Sequence, residues 1–257
     1  MITPEKIVFI LSTGRTGTKT LAEGLVGDNI LSPHQPPHSR FLTIASNYYL
    51  HGWLAKPVLE GLVRHLREPQ ILQAKCQFYI QAFSLDYFPA KIISQKYPNV
   101  YVVHIIRDPR TFVPSYLNWM HTRFKSFVAN KLVPGWQPSG LFTGEISWKR
   151  WLKMNEFERV CWQWVYKNRL LQQLFQDDER YMQVRFEDLL LSQTPDMFRS
   201  MLSFVGIPYQ DRFDQMLCRP KNSSRKTYFP KWEDWIPERQ QQLLDICGEQ
   251  MQYYGYG

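Results

Sequence analysis

The sequence predicts a three-layer α/β fold, in which helices cover both faces of a mostly parallel central sheet. Two apolar, β-branched runs, at residues 7–11 and 100–106, have the composition of strands that are buried on both faces. A helical pattern follows each run, and a shorter strand pattern at 181–185 follows a long helical pattern. Strands that alternate with helices form parallel sheets, because each helix connects one strand to the next.

Hydrophobic periodicity and the positions of proline and glycine assign the remaining elements. No linker, repeat or low-complexity tract interrupts the chain, so residues 1–257 are expected to form a single domain. In chain order the further predictions are a first helix after residue 17, a helical stretch at 41–68, a short strand at 71–75, a helix at 82–96 that Pro89 delays, a helix starting at Asp108 or Pro109, a long loop at 126–146, the longest helix at 147–177, a helix capped by Thr194 and a closing helix at about 237–253.

The charge of the chain favours an anionic ligand. Its formal net charge is +8 and its pI is about 9.3, which suits anionic small molecules. Nucleic acid is the usual alternative partner of a basic chain. Lysine and arginine are spread along this sequence, however, and no helix-turn-helix, zinc-knuckle or RNA-binding aromatic pattern is present, so no nucleic-acid partner is predicted.

The cysteines and the apolar runs limit the compartment and the chemistry. Four cysteines lie far apart, without a C-x-x-C pair, so they are expected to be reduced thiols and no metal site is predicted. The apolar run at 7–11 is too short for a signal peptide or a membrane span. We therefore expect a cytoplasmic protein with no membrane span.

The stretch between the first strand and the first helix predicts an anion-binding loop. A glycine loop at a helix N-terminus presents backbone N–H groups to an anion, and the helix dipole favours negative charge there. Gly14 allows close approach of the backbone, and the guanidinium of Arg15 suits a phosphate or sulfate oxygen. The candidate binding residues of this loop are Arg15, Thr16, Gly17, Thr18, Lys19 and Thr20.

The spacing of this loop does not match a Walker loop, which requires G-x-x-x-x-G-K-[ST]. Gly14 and Gly17 are too close together, and Thr18 separates Gly17 from Lys19. The run RTGTKTL at 15–21 instead resembles the pattern [KR]-[ST]-G-T-x-x-L of the sulfotransferases, in its arginine form. That family binds the 5′-phosphosulfate of 3′-phosphoadenosine 5′-phosphosulfate (PAPS) on this loop, and the resemblance implies its P-loop-like α/β fold.

A second anion site is predicted where the strand at 100–106 ends. Arg107 lies at the strand end, and Ser115 lies about two helical turns, roughly 10 Å, into the next helix, so both can reach one anion. Arg107 followed eight residues later by Ser115 resembles the sulfotransferase motif that clamps the 3′-phosphate of PAPS. The polar, basic and then aromatic tail at 220–235 resembles the loop that closes over the nucleotide, with Arg225 and Lys226 as its basic pair.

The segment FEDLL at 186–190 resembles a Tyr-Glu-Asp segment of the same family, with Phe186 in place of the tyrosine. Together these matches span residues 6 to about 254. The resemblance implies transfer of a sulfonate group from PAPS to a hydroxyl or amine of an acceptor such as a carbohydrate, lipid or small metabolite. Arg15, Lys19 and the loop amides would neutralise the charge on the leaving phosphate, without a metal.

Two histidines are candidates for the general base. The family uses histidine or glutamate, and the carbohydrate members place a glutamate after the first helix, where this chain has HQPPH at 34–38. Gln35 cannot act as a base, so His34 is the first candidate and His38 the second. His104 lies within a strand and is expected to be a packed core residue. A P-loop kinase and a nucleotide-binding protein with a decayed site are the alternative functions.

Overall fold

The structure is a computed structural model that describes residues 4–122, 133, 135–218 and 228–257. Its described strands form one five-stranded sheet in which every pairing is parallel, in the order β2-β3-β1-β4-β5. This arrangement confirms the predicted parallel α/β sheet. The strands are β1 (Lys6–Ser12), β2 (Ile30–Leu31), β3 (Phe78–Gln81), β4 (Val100–Ile106) and β5 (Tyr181–Arg185).

Helices connect the strands. The described helices are α1 (Thr18–Leu25), α2 (Ser39–Leu50), α3 (Lys56–Leu66), α4 (Glu68–Leu72), α5 (Tyr87–Lys96), α6 (Pro109–Thr122), α7 (Trp148–Lys153), α8 (Glu156–Phe175), α9 (Phe186–Leu190), α10 (Asp196–Val205), α11 (Arg212–Cys218) and α12 (Pro237–Tyr253), with a 3₁₀ turn at Trp232–Asp234 before α12. No helix of the described part is long and apolar enough to cross a bilayer.

The alternation of side chains along β1 explains the three layers. Ile7 and Phe9 face one side of the sheet, where they pack with residues of α2, α3, α5 and α8. Val8 and Ile10 face the other side, where they pack with residues of α1, α9, α10 and α11. Because side chains alternate along a strand, an unbroken apolar run must have apolar neighbours on both faces. The three-layer prediction is confirmed.

The structure corrects two predicted elements in the first half of the chain. The predicted strand at 71–75 is wrong, because Ile71 belongs to helix α4, in which Pro69 occupies the first turn, where a helix tolerates proline. The strand is Phe78–Gln81, whose four residues are all buried. The helical stretch at 41–68 is two helices, separated at Gly52, whose φ of 72° ends the first.

The predicted helix at 147–177 is also divided in two. Asn155 caps α8 by accepting a hydrogen bond from the backbone N–H of Glu158, and the Glu158 side chain accepts from the Asn155 backbone. This capping box starts a new helix, because it satisfies N–H groups that a continuous helix would pair internally. Helix α10 is capped at Pro195, with Thr194 one residue outside it. Of the predicted loop at 126–146, residues 135–146 contain turns and no helix, while 126–132 and Pro134 lie outside the described residues.

Candidate active site

A cavity of about 1030 Å³ opens at the edge of the sheet where the parallel strands end. Such an edge is where open α/β sheets bind ligands, because the loops that follow neighbouring strands meet there. The loop between β1 and α1 and the start of α6 both line this cavity. So do parts of the segment before α2, the residues after β3 and a stretch near the 3₁₀ turn.

The backbone of the β1–α1 loop is held in a conformation that suits an anion. Gly14, Arg15 and Gly17 all have left-handed backbones, with φ of 100°, 57° and 71°. The Ser12 hydroxyl oxygen accepts hydrogen bonds from the Gly14 N–H at 3.1 Å and from the Thr16 hydroxyl at 2.6 Å. Helix α1 has Gly17 at its N-cap, where no side chain accepts a hydrogen bond from the first turn. The N–H groups of that turn are therefore available to a ligand.

Both side-chain packing and backbone conformation favour glycine at position 17. A Cβ at this position would lie 2.5 Å from Cδ1 of the buried Leu190 side chain. The left-handed backbone would also strain any other residue. The glycine therefore lets α9 pack directly under the loop.

The two predicted anion motifs lie in contact. Nε of Arg15 donates a hydrogen bond to Oγ of Ser115 at 3.2 Å, and Nη1 of Arg107 donates to the backbone oxygen of Arg15 at 2.6 Å. All three residues line the cavity. Arg15 thus meets the Arg107 guanidinium and the Ser115 hydroxyl at one end of the cavity, although about a hundred positions of sequence separate Arg15 from the other two.

Arg107 is oriented by its surroundings. Its guanidinium lies 4.7 Å from the ring centre of Phe186, and its Nε donates to Oγ1 of Thr111 at 3.0 Å. Burial lowers the pKa of Arg107 to about 10, partly opposed by the carboxylate of Glu187. The side chain is still cationic at neutral pH. Phe186, where the family resemblance implies a tyrosine, thus provides a ring face for this cation.

Glu187 supports the same end of β4. Its carboxylate accepts from the backbone N–H of Asp108 at 3.1 Å and from the hydroxyl of Tyr256 at 2.8 Å. The Tyr256 hydroxyl is also 3.1 Å from the backbone oxygen of Ile106. Residues from β4, α9 and the end of the chain therefore fix where Arg107 leaves the sheet.

The other loop residues differ in exposure. Thr16 and Thr18 are buried, whereas Lys19 is exposed and lies 3.5 Å from the carboxylate of Glu23. Thr20 and Lys19 both line the cavity. The loop thus offers hydroxyls, backbone N–H groups and an exposed cation to the same volume.

His34 is held in the cavity with a defined tautomer. Its Nδ1 lies 2.8 Å from the backbone oxygen of Ala82, at the end of β3. A carbonyl oxygen only accepts, so Nδ1 carries the proton and Nε2 is left as the acceptor. His34 lines the cavity, and its imidazole can take a proton through Nε2.

The side chains of His38 and His104 lie away from the cavity lining. His38 is the N-cap of α2, is exposed, and is not among the residues that line the cavity. His104 is fully buried in β4, between the Tyr181 hydroxyl at 2.8 Å and Oδ1 of Asn168 at 3.0 Å. Burial lowers the pKa of His104 to about 4, so it is a neutral core residue, as predicted.

The chain is similar to several solved structures of sulfotransferases. The mouse sulfotransferase SULT7A1, complexed with PAP, matches with a TM-score of 0.51 and 13% identity over 97% of this chain and 86% of that one. A sulfotransferase from Alicyclobacillus acidocaldarius matches with a TM-score of 0.51 and 12% identity, over 98% and 94% of the two chains. Sulfotransferase STF9 from Mycobacterium avium matches with a TM-score of 0.52 and 12% identity, over 100% and 78%.

The chain has the sulfotransferase fold. No family model matches its sequence, and no curated protein matches it. The structure therefore confirms the fold that the sequence motifs implied. The sequence identity is so low that sequence comparison alone finds no relative.

Within this sulfotransferase fold, the cavity has a second group of polar residues that the motifs did not indicate. The guanidinium of Arg40, in α2, lies 5.4 Å from the ring centre of Trp136. Nζ of the buried Lys167 donates to Oε1 of Gln137 at 2.5 Å, and burial lowers the pKa of Lys167 to about 7. Trp136 is one of nine tryptophans in the sequence. No local pattern marks Arg40 or Gln137, because their proximity arises from the tertiary fold.

Two predicted site residues, Arg225 and Lys226, lie outside the described residues, so their proposed contact with the nucleotide stays a prediction. The described residues contain no group of three or more His, Cys, Asp or Glu side chains that could hold a metal ion.

Proposed function

We propose that this chain transfers a sulfonate group from PAPS to a hydroxyl or amine of an acceptor, releasing adenosine 3′,5′-bisphosphate. The observation that carries the proposal is the contact between the two anion motifs, in which Arg107 bonds to the backbone of Arg15 and Arg15 bonds to Ser115. The mouse neighbour's structure was determined with PAP, which supports the choice of nucleotide.

The β1–α1 loop would hold the 5′-phosphosulfate. The N–H groups of the first turn of α1, the Arg15 guanidinium and Lys19 would neutralise the charge that builds on the leaving phosphate. Preorganised donors are effective here, because the backbone of Gly14, Arg15 and Gly17 is already in the left-handed conformation. The free-energy cost of that conformation is therefore incurred when the chain folds and not during the reaction.

Arg107 and Ser115 would hold the 3′-phosphate. Arg107 is mostly enclosed, and Phe186 and Thr111 orient its guanidinium. An anion placed beside it would therefore offset the cost of burying this cation. Ser115 would supply a hydroxyl from one helical turn above Thr111 on the same helix.

His34 would act as the general base. The acceptor hydroxyl would give its proton to Nε2 as the acceptor oxygen attacks sulfur and the bond from sulfur to the phosphate oxygen breaks. The hydrogen bond from Nδ1 to Ala82 would stabilise the imidazolium that forms. His38, which lies outside the cavity lining, remains the second candidate and is tested beside His34 below.

Calorimetry tests the proposal directly. Adenosine 3′,5′-bisphosphate is titrated into the protein in the presence of a chelator, and ATP with magnesium is titrated in parallel. We expect heat with the bisphosphate in chelator and a weaker response to ATP. Tighter binding of magnesium ATP, or no heat with the bisphosphate, would refute the assignment and favour a kinase. Bisphosphate binding without transfer of radiolabelled sulfonate to any acceptor in a broad screen would indicate a decayed site.

A further inference from the structure

We infer that Arg40, Trp136 and Gln137 form the acceptor-binding part of the cavity, and that the acceptor carries an oxyanion such as a carboxylate beside its reactive hydroxyl. This inference rests on the proposed function. It adds the chemical class of the acceptor, for which the motifs of the sequence provide no evidence.

The guanidinium of Arg40 has N–H donors that can reach a ligand. It lies in the first turn of α2, is exposed, and contacts the face of Trp136 at 5.4 Å. It has no ion-pair partner among the residues that the structure describes. Contact with a ring face orients a guanidinium and leaves its edge of N–H donors available, which is the geometry that a carboxylate accepts in a bidentate way.

Gln137 supplies a second, fixed donor. Its Oε1 accepts from Lys167, so its Nε2 hydrogens are left, and no described residue accepts from them. Lys167 is 1% exposed, which means that this contact is shielded from water and holds the amide firmly. An oxygen of the acceptor would therefore complete the hydrogen bonding of Gln137.

The two groups are held in one rigid arrangement. Nδ2 of Asn47, in the same helix as Arg40, donates to the backbone oxygen of Gly135 at 2.7 Å. A Cβ on Gly135 would lie 2.5 Å from the ring of Tyr48, so the backbone at 135–137 packs closely on α2. The backbones that carry Arg40 and Gln137 are therefore held together without a bound ligand, which lowers the cost of ordering the two side chains.

The charges that line the cavity match an anion. Its acidic lining residues are Asp108 and Glu233. Asp108 is already paired with Arg110, whose Nη2 lies 2.7 Å from its Oδ2. The phosphates of the nucleotide are assigned to the β1–α1 loop, Arg107 and Ser115, which belong to other elements than Arg40. Arg40 thus remains for the acceptor.

The test uses three probes of nearly equal shape, namely 4-hydroxybenzoate, 4-hydroxybenzenesulfonate and 4-hydroxybenzamide. Each is titrated by ligand-observed NMR into protein saturated with adenosine 3′,5′-bisphosphate. We expect the anions to bind about 10- to 100-fold more tightly than the amide, the range that a charge-assisted contact provides. Preference for the carboxylate over the sulfonate would indicate a site shaped for a planar oxyanion, and equal binding of both would indicate a general oxyanion site.

Variants assign the effect to residues. Arg40→Gln should bring the anions within about twofold of the amide, and Gln137→Leu should weaken anions and amide alike, by several-fold, since it removes a hydrogen bond that is not specific for charge. Arg64→Gln, an exposed arginine of α3, is the matched control and should change nothing.

Among the probe titrations, three results would overturn the inference: no binding of any probe, equal binding of anions and amide, or a preference that survives in Arg40→Gln. Calorimetry with the bisphosphate separates this failure from failure of the proposed function. If Arg40→Gln lost affinity for the bisphosphate, Arg40 would belong to the nucleotide site and the inference would be wrong. If the bisphosphate did not bind the wild type at all, the proposed function itself would fail.

Discussion

The two ends of the cavity are built in different ways. The donor end, named for its proposed role, is the loop at 13–20 with Arg107 and Ser115, and it uses backbone conformation and cations placed directly at strand ends. The acceptor end, likewise named for its proposed role, consists of His34, Arg40, Trp136 and Gln137. It uses single side chains from separate elements, positioned by contacts beneath them. Backbone conformation therefore shapes much of the donor end, whereas the acceptor end depends on how side chains pack. Substitutions should therefore damage the two ends in different ways.

The largest expected effect on the acceptor end comes from His34→Ala. A positioned general base contributes about 10²–10⁴-fold, so turnover of PAPS should fall by that factor. Calorimetry should show an unchanged affinity for the bisphosphate, because His34 belongs to the other end. The matched variant is His38→Ala, at an exposed position outside the cavity lining, which should retain turnover. The reverse pattern would transfer the role to His38.

The packing beneath the acceptor end is tested by Arg67→Met. Arg67 is fully buried, and its Nη2 lies 3.2 Å from Asp86 and 2.7 Å from Oγ of Ser39, at the start of α2. Removing one partner of a buried ion pair typically costs about 3–5 kcal/mol. We expect that loss in the free energy of unfolding, measured by denaturant titration at pH 8. Arg64→Met, at an exposed pair, should cost less than about 1 kcal/mol; equal losses would mean that the buried pair has no special role.

The backbone of the donor end is tested by Gly17→Ala. A left-handed backbone costs a non-glycine residue about 1–2 kcal/mol, and overpacking against Leu190 adds about 1–3, which gives roughly 2–5 kcal/mol in total. Both the stability and the affinity for the bisphosphate should fall. Gly61→Ala is the control, since its Cβ meets open space within α3 and alanine favours a helix. A Gly17→Ala protein with wild-type affinity would show that the loop does not bind the nucleotide.

The cations of the donor end are tested by Arg107→Ala. Loss of a charge-assisted contact should weaken adenosine 3′,5′-bisphosphate by about 1.5–3 kcal/mol in calorimetry. Adenosine 5′-monophosphate, which lacks the 3′-phosphate, should be weakened much less. Arg107→Lys, which keeps the charge but loses the fork of donors, should give an intermediate affinity. If both nucleotides weaken equally, Arg107 supports the fold and does not contact the 3′-phosphate.

The last expected effect is a pH dependence of stability caused by Asp86. Burial raises the pKa of this carboxyl to about 7, although Arg67 beside it acts in the opposite direction. The folded chain then holds a proton that the unfolded chain loses near pH 4, so stability should fall as the pH rises from about 4 to about 7. Thermal unfolding across this range should show a weaker decline in Asp86→Asn. An equal decline in both proteins would assign the slope to other groups.

Some of this protein was determined by local sequence alone. The apolar runs at 7–11 and 100–106, the glycines of the β1–α1 loop and the proline that starts α6 each act within a few residues. Unbroken apolar runs, backbone freedom and helix capping are short-range effects. They predicted the parallel sheet, a glycine loop suited to an anion and the place of Arg107 at a strand end. The same effects predicted the closing helix, whose observed bounds are Pro237–Tyr253.

Other features were decided by the tertiary structure. The strand predicted at 71–75 became helix α4, because only the packed sheet determines which buried segment pairs with β1. His34 and His38 are the same residue type, so the sequence does not distinguish them. The carbonyl of Ala82, 48 positions away, fixes the tautomer of His34. Arg40, Gln137 and Lys167 have no common pattern in sequence, because they meet through the packing of α2, α8 and the segment at 135–137. Contacts of that range depend on how whole helices pack, and no short stretch of sequence contains that information.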